Sequence, residues 1–112
     1  MLNSVNIVGR LVQNPELKID ENGKKYSIIV LAVPRSYKNE EGYYDTDFID
    51  ILLKNVVAIN TCEYCRKGDA IGVVGRIENR FEEDKEKEES RKITYVVADR
   101  VSFISACKKE SE

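Results

Sequence analysis

The sequence predicts an all-β domain, a small barrel of five strands with one short helix between the third and the fourth. Five apolar stretches of strand length are rich in β-branched residues. A further stretch, between the third and fourth of these, spaces its apolar residues as a helix does. The chain has 112 residues, 42% of them hydrophobic and 34% charged, which suffices for one core and leaves little room for a second.

The first strand is read over Val5 to Val12 and gives way to the Asn14-Pro15 turn. Glu21-Asn22-Gly23 precedes the second strand, Ile28 to Val33, and Asn39-Glu40-Glu41-Gly42 precedes the third, Phe48 to Leu53. In that third strand the period of two puts Ile49, Ile51 and Leu53 on one face, as core. Phe48, Asp50, Leu52 and Lys54 fall on the other, accessible face. The helix is expected within NVVAINTCEYCRKG, where Val57, Ile59, Cys62 and Cys65 share a side, Arg66 and Lys67 occupy the last turn and Gly68 stops it. The fourth strand follows at Ala70 to Ile77 and the fifth at Ile93 to Val101. Residues 82–90, EEDKEKEES, have no turn glycine and are expected to form a solvated, mobile hairpin arm.

This element order is that of the OB-fold, a five-stranded Greek-key barrel whose open face binds single-stranded nucleic acid or oligosaccharide. SH3-like barrels and ubiquitin-like α+β folds have similar lengths, so element order alone leaves them open. One domain is expected over residues 1–106, followed by a short polar end at 107–112.

Composition removes several classes of function. The uncharged apolar runs are far shorter than the roughly 20 residues a bilayer span needs, and the Met1 end lacks a basic-then-apolar signal pattern. Three cysteines without an export signal point to a reducing compartment, the cytoplasm. The absence of histidine takes away the commonest general base and any Ser-His or Cys-His pair, which argues against most hydrolytic chemistry, and the chain as a whole is not read as an enzyme. The net charge is −2, but residues 82–90 alone carry −4, which leaves +2 on the rest of the chain.

Two constellations carry chemistry. Cys62-Glu63-Tyr64-Cys65 has C-x-x-C spacing, yet a zinc site needs two further ligands and only Cys107 remains as a soft one. The pair also falls late in its helix, where the dipole disfavours thiolate, so both sulfurs are read as small core residues beside Ile59 and no metal or cofactor is expected. The second constellation alternates aromatic with basic residues: Arg35, Tyr37 and Lys38, then Phe48 and Lys54, then Arg76, Arg80 and Phe81. Rings stack on bases of any sequence while cations follow the phosphates, the chemistry of sequence-tolerant single-strand binding. The plainer alternative makes these rings ordinary sheet aromatics and the cations solubilising groups. Tyr43 and Tyr44 add ring surface in a loop.

Several segments, in order, resemble the bacterial single-stranded DNA-binding protein family from Met1 to about Phe103. They are MLNSVNIVGRL with Asn14-Pro15-Glu16-Leu17, the strand Ile29 to Arg35, Asp47-Phe48-Ile49, Tyr64 to Gly68, Val74-Gly75-Arg76-Ile77, and Val97-Ala98-Asp99 with Val101 and Phe103. The resemblance implies an OB-fold that coats single-stranded DNA in replication, recombination or repair, within the bacterial nucleoid, as a homotetramer with a dimer as the alternative. Tyr37 and Phe48 match two stacking positions, with Arg10, Arg35, Lys38, Lys54, Arg76 and Arg80 assigned to phosphates.

Three departures accompany the match. Lys54 stands where many relatives have an aromatic residue. Glu82 stands at the fourth-strand aromatic position, so Phe81 reaches the site only through a bulge or register shift. The long tail with an acidic, Phe-containing tip is not seen in KKESE, so recruitment of replication proteins through it is not expected. The rival readings are a primosome-type OB adaptor acting through protein contacts and a thiol oxidoreductase or metal module built on Cys62 and Cys65.

Overall fold

The computed structural model describes residues 1–86 and 88–105. In chain order the elements are β1 (Val5–Leu11), β2 (Lys18–Ile19), β3 (Lys25–Lys38), β4 (Tyr44–Lys54), α1 (Asn55–Tyr64), β5 (Ala70–Asp84) and β6 (Glu89–Ser105). The sheet runs β1-β5-β6-β4-β3-β2, and a further β1–β3 pairing closes the five long strands into a barrel. All pairs are antiparallel except β4–β6, which is parallel at Ile51 to Val96 and Leu52 to Val97. This is the five-stranded OB barrel with its helix between the third and fourth long strands; the two-residue β2, paired to the start of β3, is an addition that sequence patterning missed. No helix among the described residues is long and apolar enough to cross a membrane.

Alternation along each strand builds the core. Leu11 from β1, Ile29 and Leu31 from β3, Ile51 and Leu53 from β4, Ile71 and Val73 from β5, and Val96 and Ala98 from β6 point inward and are buried together. Ala58 and Cys65 plug the barrel end that α1 covers. The expected faces of β4 are observed: Ile51 and Leu53 are buried, Ile49 packs against the core, and Phe48, Asp50 and Lys54 are exposed. At Gly75 a Cβ would meet the Val97 carbonyl oxygen at 2.1 Å, which is why β5 needs glycine beside its register shift with β6.

The strand lengths correct the sequence expectation. β3 and β4 pair out to Lys38 and Tyr44, and β5 and β6 pair out to Asp84 and Glu89. Residues 82–84 and 89–90 of the acidic run are therefore ladder. Both faces of these arms are solvated, so neither shows the apolar alternation by which strands are recognised.

The helix also stops earlier than expected. Cys65 is already extended (φ −113, ψ 151), and Arg66 and Lys67 lie beyond the last turn. Arg66 instead reaches back, donating from Nη1 to the carbonyls of Cys62 and Cys65 at 3.1 and 2.8 Å. Cys65 is buried in the core and Cys62 half-buried, in keeping with small core residues. Cys107 and the polar end 107–112 lie outside the described residues.

Candidate nucleic-acid interface

Phe48 sits in a cross-strand row. Arg10 of β1 pairs with Ala32 of β3, and Ala32 pairs with Phe48 of β4. Directly paired residues project to the same side, so Arg10 and Phe48 share the outer face of the barrel. The Phe48 ring is 64% exposed although its strand neighbours Ile49 and Ile51 face the core. The Arg10 guanidinium is tethered beside this row, donating to the Gly68 carbonyl at 2.8 Å.

Further along the same face, the β3–β4 ladder forms one wall of an open groove of about 1090 Å³. Tyr26 and Ile28 from β3 and Leu52 and Lys54 from β4 line that wall. Arg80 from β5 and Ile93 and Tyr95 from β6 line the other, with Glu82 and Arg91 toward the arm. The groove is thus apolar along its floor and charged along its edges. Lys24 and Lys25 stand at the β3 end.

A third group occupies the β3–β4 arm. Arg35 donates from Nε and Nη2 to the two carboxylate oxygens of Asp47 at 3.0 Å each, and from Nη1 to the Tyr37 hydroxyl at 3.4 Å. The paired guanidinium, through its hydrogen bond, holds the Asp47 carboxyl below the usual carboxylate range. Asp47 in turn raises the pKa of Arg35. Tyr37 is exposed and held at its hydroxyl by this cluster. At the arm's outer end Lys38 lies 5.8 Å from the centre of the Tyr44 ring, and the Asn39–Tyr43 turn exposes Tyr43.

The remaining assigned residues divide. Arg76 is held between Glu78 at 2.8 Å and Asp99, and the bond to Glu78 is the main reason its pKa is raised. Arg80 donates to Glu82 at 3.0 Å. Phe81 is exposed, but the β5–β6 register is uninterrupted from Gly75 to Asp84, so Phe81 alternates with Arg80 and Glu82 and projects from the reverse side of the arm. The register shift that would turn it into the groove is found further back, between Val74 and Gly75.

Sequence patterning missed Tyr26 and Tyr95. Each stands two residues from an isoleucine that lines the same groove, Ile28 and Ile93, so extending the period of two would have found both. Among the described residues no three His, Cys, Asp or Glu side chains gather to hold a metal.

Known proteins share this fold. A solved chain described as the Plasmodium falciparum SSB complex with ssDNA superimposes with a TM-score of 0.81, covering 94% of this chain and 96% of that one at 22% identity. The single-stranded DNA-binding protein B of Bacillus subtilis (strain 168) is 38% identical over 110 residues, 98% of this chain and 96% of the relative. The single-stranded DNA-binding protein 1 of Staphylococcus aureus (strain MSSA476) is 38% identical over 104 residues, 93% of this chain and 66% of that protein. With residues 2–104 also matching the model of the single-strand binding protein family, the chain belongs to that family.

Proposed function

We propose that the protein binds and protects single-stranded DNA with little sequence preference, in replication, recombination or repair. The observation that carries this is the exposed Phe48 ring on an outer barrel face, with Arg10 in its row and, beyond it, a groove lined by Lys54, Tyr26 and Tyr95. Stacking on such rings is worth about 1–3 kcal/mol per base and tolerates any sequence, while cations beside them take the phosphates. Nothing in this task requires bond-making chemistry, so the DNA is held rather than transformed.

Tyr37 and Phe48 are the stacking residues, and Arg10, Arg35, Lys38, Lys54, Arg76 and Arg80 face phosphates. Phe81, on the reverse side of its arm, is left out of the path. The working unit is a homotetramer in the bacterial cytoplasm and nucleoid, which lets one strand run over several barrels. Titration with oligo-dT of increasing length at two salt concentrations, with mass followed by light scattering, tests the function and the assembly together. Saturable, length-dependent binding by a tetramer is expected. A dimer without dT binding would favour a protein-adaptor role.

A further inference from the structure

Beside the candidate site Arg35 and Arg80 are already held by carboxylates, while Arg10 donates to the Gly68 carbonyl. Asp47 occupies the Nε–Nη2 fork of Arg35, and Asp45 lies 3.9 Å from Nη1 of the same group. Glu82 accepts from Arg80 at 3.0 Å and lies 3.9 Å from Arg91. The lysines differ: among the described residues no ion pair engages Lys24, Lys25 or Lys54. A guanidinium fork binds phosphate in the same bidentate geometry as carboxylate, so Asp47 occupies the position a phosphate would take on Arg35.

Both masks lie on the candidate DNA path. Arg80, Glu82 and Arg91 line the groove, and Arg35 touches Tyr37. Exposed ion pairs of this kind are weak, so a strand that also stacks its bases can displace them. A ligand that offers phosphates alone must displace them unaided and then meets the repulsion of the freed carboxylates. Duplex DNA is such a ligand, since its charge is dense while its base faces are already stacked inside the helix.

We propose that Asp47 and Glu82 are specificity-determining residues that reject duplex DNA by occupying the arginines beside the stacking surface. This rests on the single-strand function proposed above. Affinity then comes from base faces, and phosphate contacts add to it only after stacking has begun. Discrimination of this kind works by a repulsive element against the wrong ligand rather than by extra contacts to the right one.

The test uses the full chain as wild type, as Asp47→Asn/Glu82→Gln, and as Glu16→Gln/Glu63→Gln, which makes the same charge change at exposed positions before β2 and on α1. Each is titrated with oligo-dT and with a blunt duplex of equal length at low and moderate salt. In the first variant, duplex affinity rises about tenfold at low salt, the scale of two unit charges removed from beside the phosphates, and dT affinity rises less. The control variant gains no more than twofold on duplex. Unchanged duplex affinity in Asp47→Asn/Glu82→Gln, or an equal gain in the control, overturns the proposal. If the double variant does not keep the wild-type circular dichroism, Glu82→Gln alone carries the same comparison with a smaller expected gain. Wild-type protein that fails to bind dT overturns the single-strand function itself, a result visible separately in the same titration.

Discussion

Lys54 and Tyr26 are direct cross-strand partners in the β3–β4 ladder, and both line the groove. A cation and a ring thus stand side by side where the barrel face meets the cover of α1. On the proposed DNA path, replacing the cation by an indole, Lys54→Trp, should exchange a phosphate contact for a stacking contact. The slope of log affinity against log salt should become shallower by about 0.7, with affinity at high salt held or raised. Oligo-dT should quench the indole fluorescence. An unquenched indole with an unchanged slope would remove Lys54 from the DNA path.

Phe48 and Tyr37 are both exposed, so removing either ring should cost binding without unfolding the barrel. Phe48→Ala and Tyr37→Ala should each weaken oligo-dT binding by about 1–3 kcal/mol, and Phe81→Ala should leave it within twofold. Filter binding or fluorescence anisotropy with a fixed dT length distinguishes the three. A loss at Phe81 equal to that at Phe48 would place the DNA on the reverse side of the arm.

Asp47 should titrate below the ordinary aspartate range because Arg35 holds its ionised form. A depressed carboxyl contributes stability that is present above the unfolded pKa, about 3.9, and is lost as pH falls through the folded value. Carbon-detected NMR should show the low midpoint, and Arg35→Ala should return it to the ordinary range. The same variant frees the Tyr37 hydroxyl from its donor, so sharper Tyr37 ring resonances are expected as well.

Gly75 admits no side chain, because a Cβ there would meet the carbonyl oxygen and carbon of Val97 at 2.1 and 2.9 Å. Gly75→Ala should cost at least about 3 kcal/mol in urea unfolding, the upper end of overpacking costs, since the obstacle is backbone rather than a movable side chain. A loss below about 1 kcal/mol would show that the β5–β6 ladder can slip at this point.

The barrel was readable from the chain because its inner residues obey a period of two that solvent exposure on the opposite face makes visible. Ile49, Ile51 and Leu53 against Phe48 and Lys54 are the plainest instance, and the helix between strands was readable from its change of period. Segment matches to a known family then selected the OB topology among folds of equal length. The arms at 34–46 and 78–93 hid from this logic, since a ribbon solvated on both faces needs no apolar alternation and is held by its backbone ladder and ion pairs. The helix end was likewise settled by the fold: Arg66 turns back on the carbonyls of Cys62 and Cys65 while Cys65 is drawn into the core. Local pattern could name cations of the candidate site, Arg35 and Arg80 among them. It could not show that Asp47 occupies the first, because Arg35 and Asp47 stand 12 residues apart and meet only when β3 folds back on β4. Charge pairing across strands is set by register, and register is a property of the closed barrel.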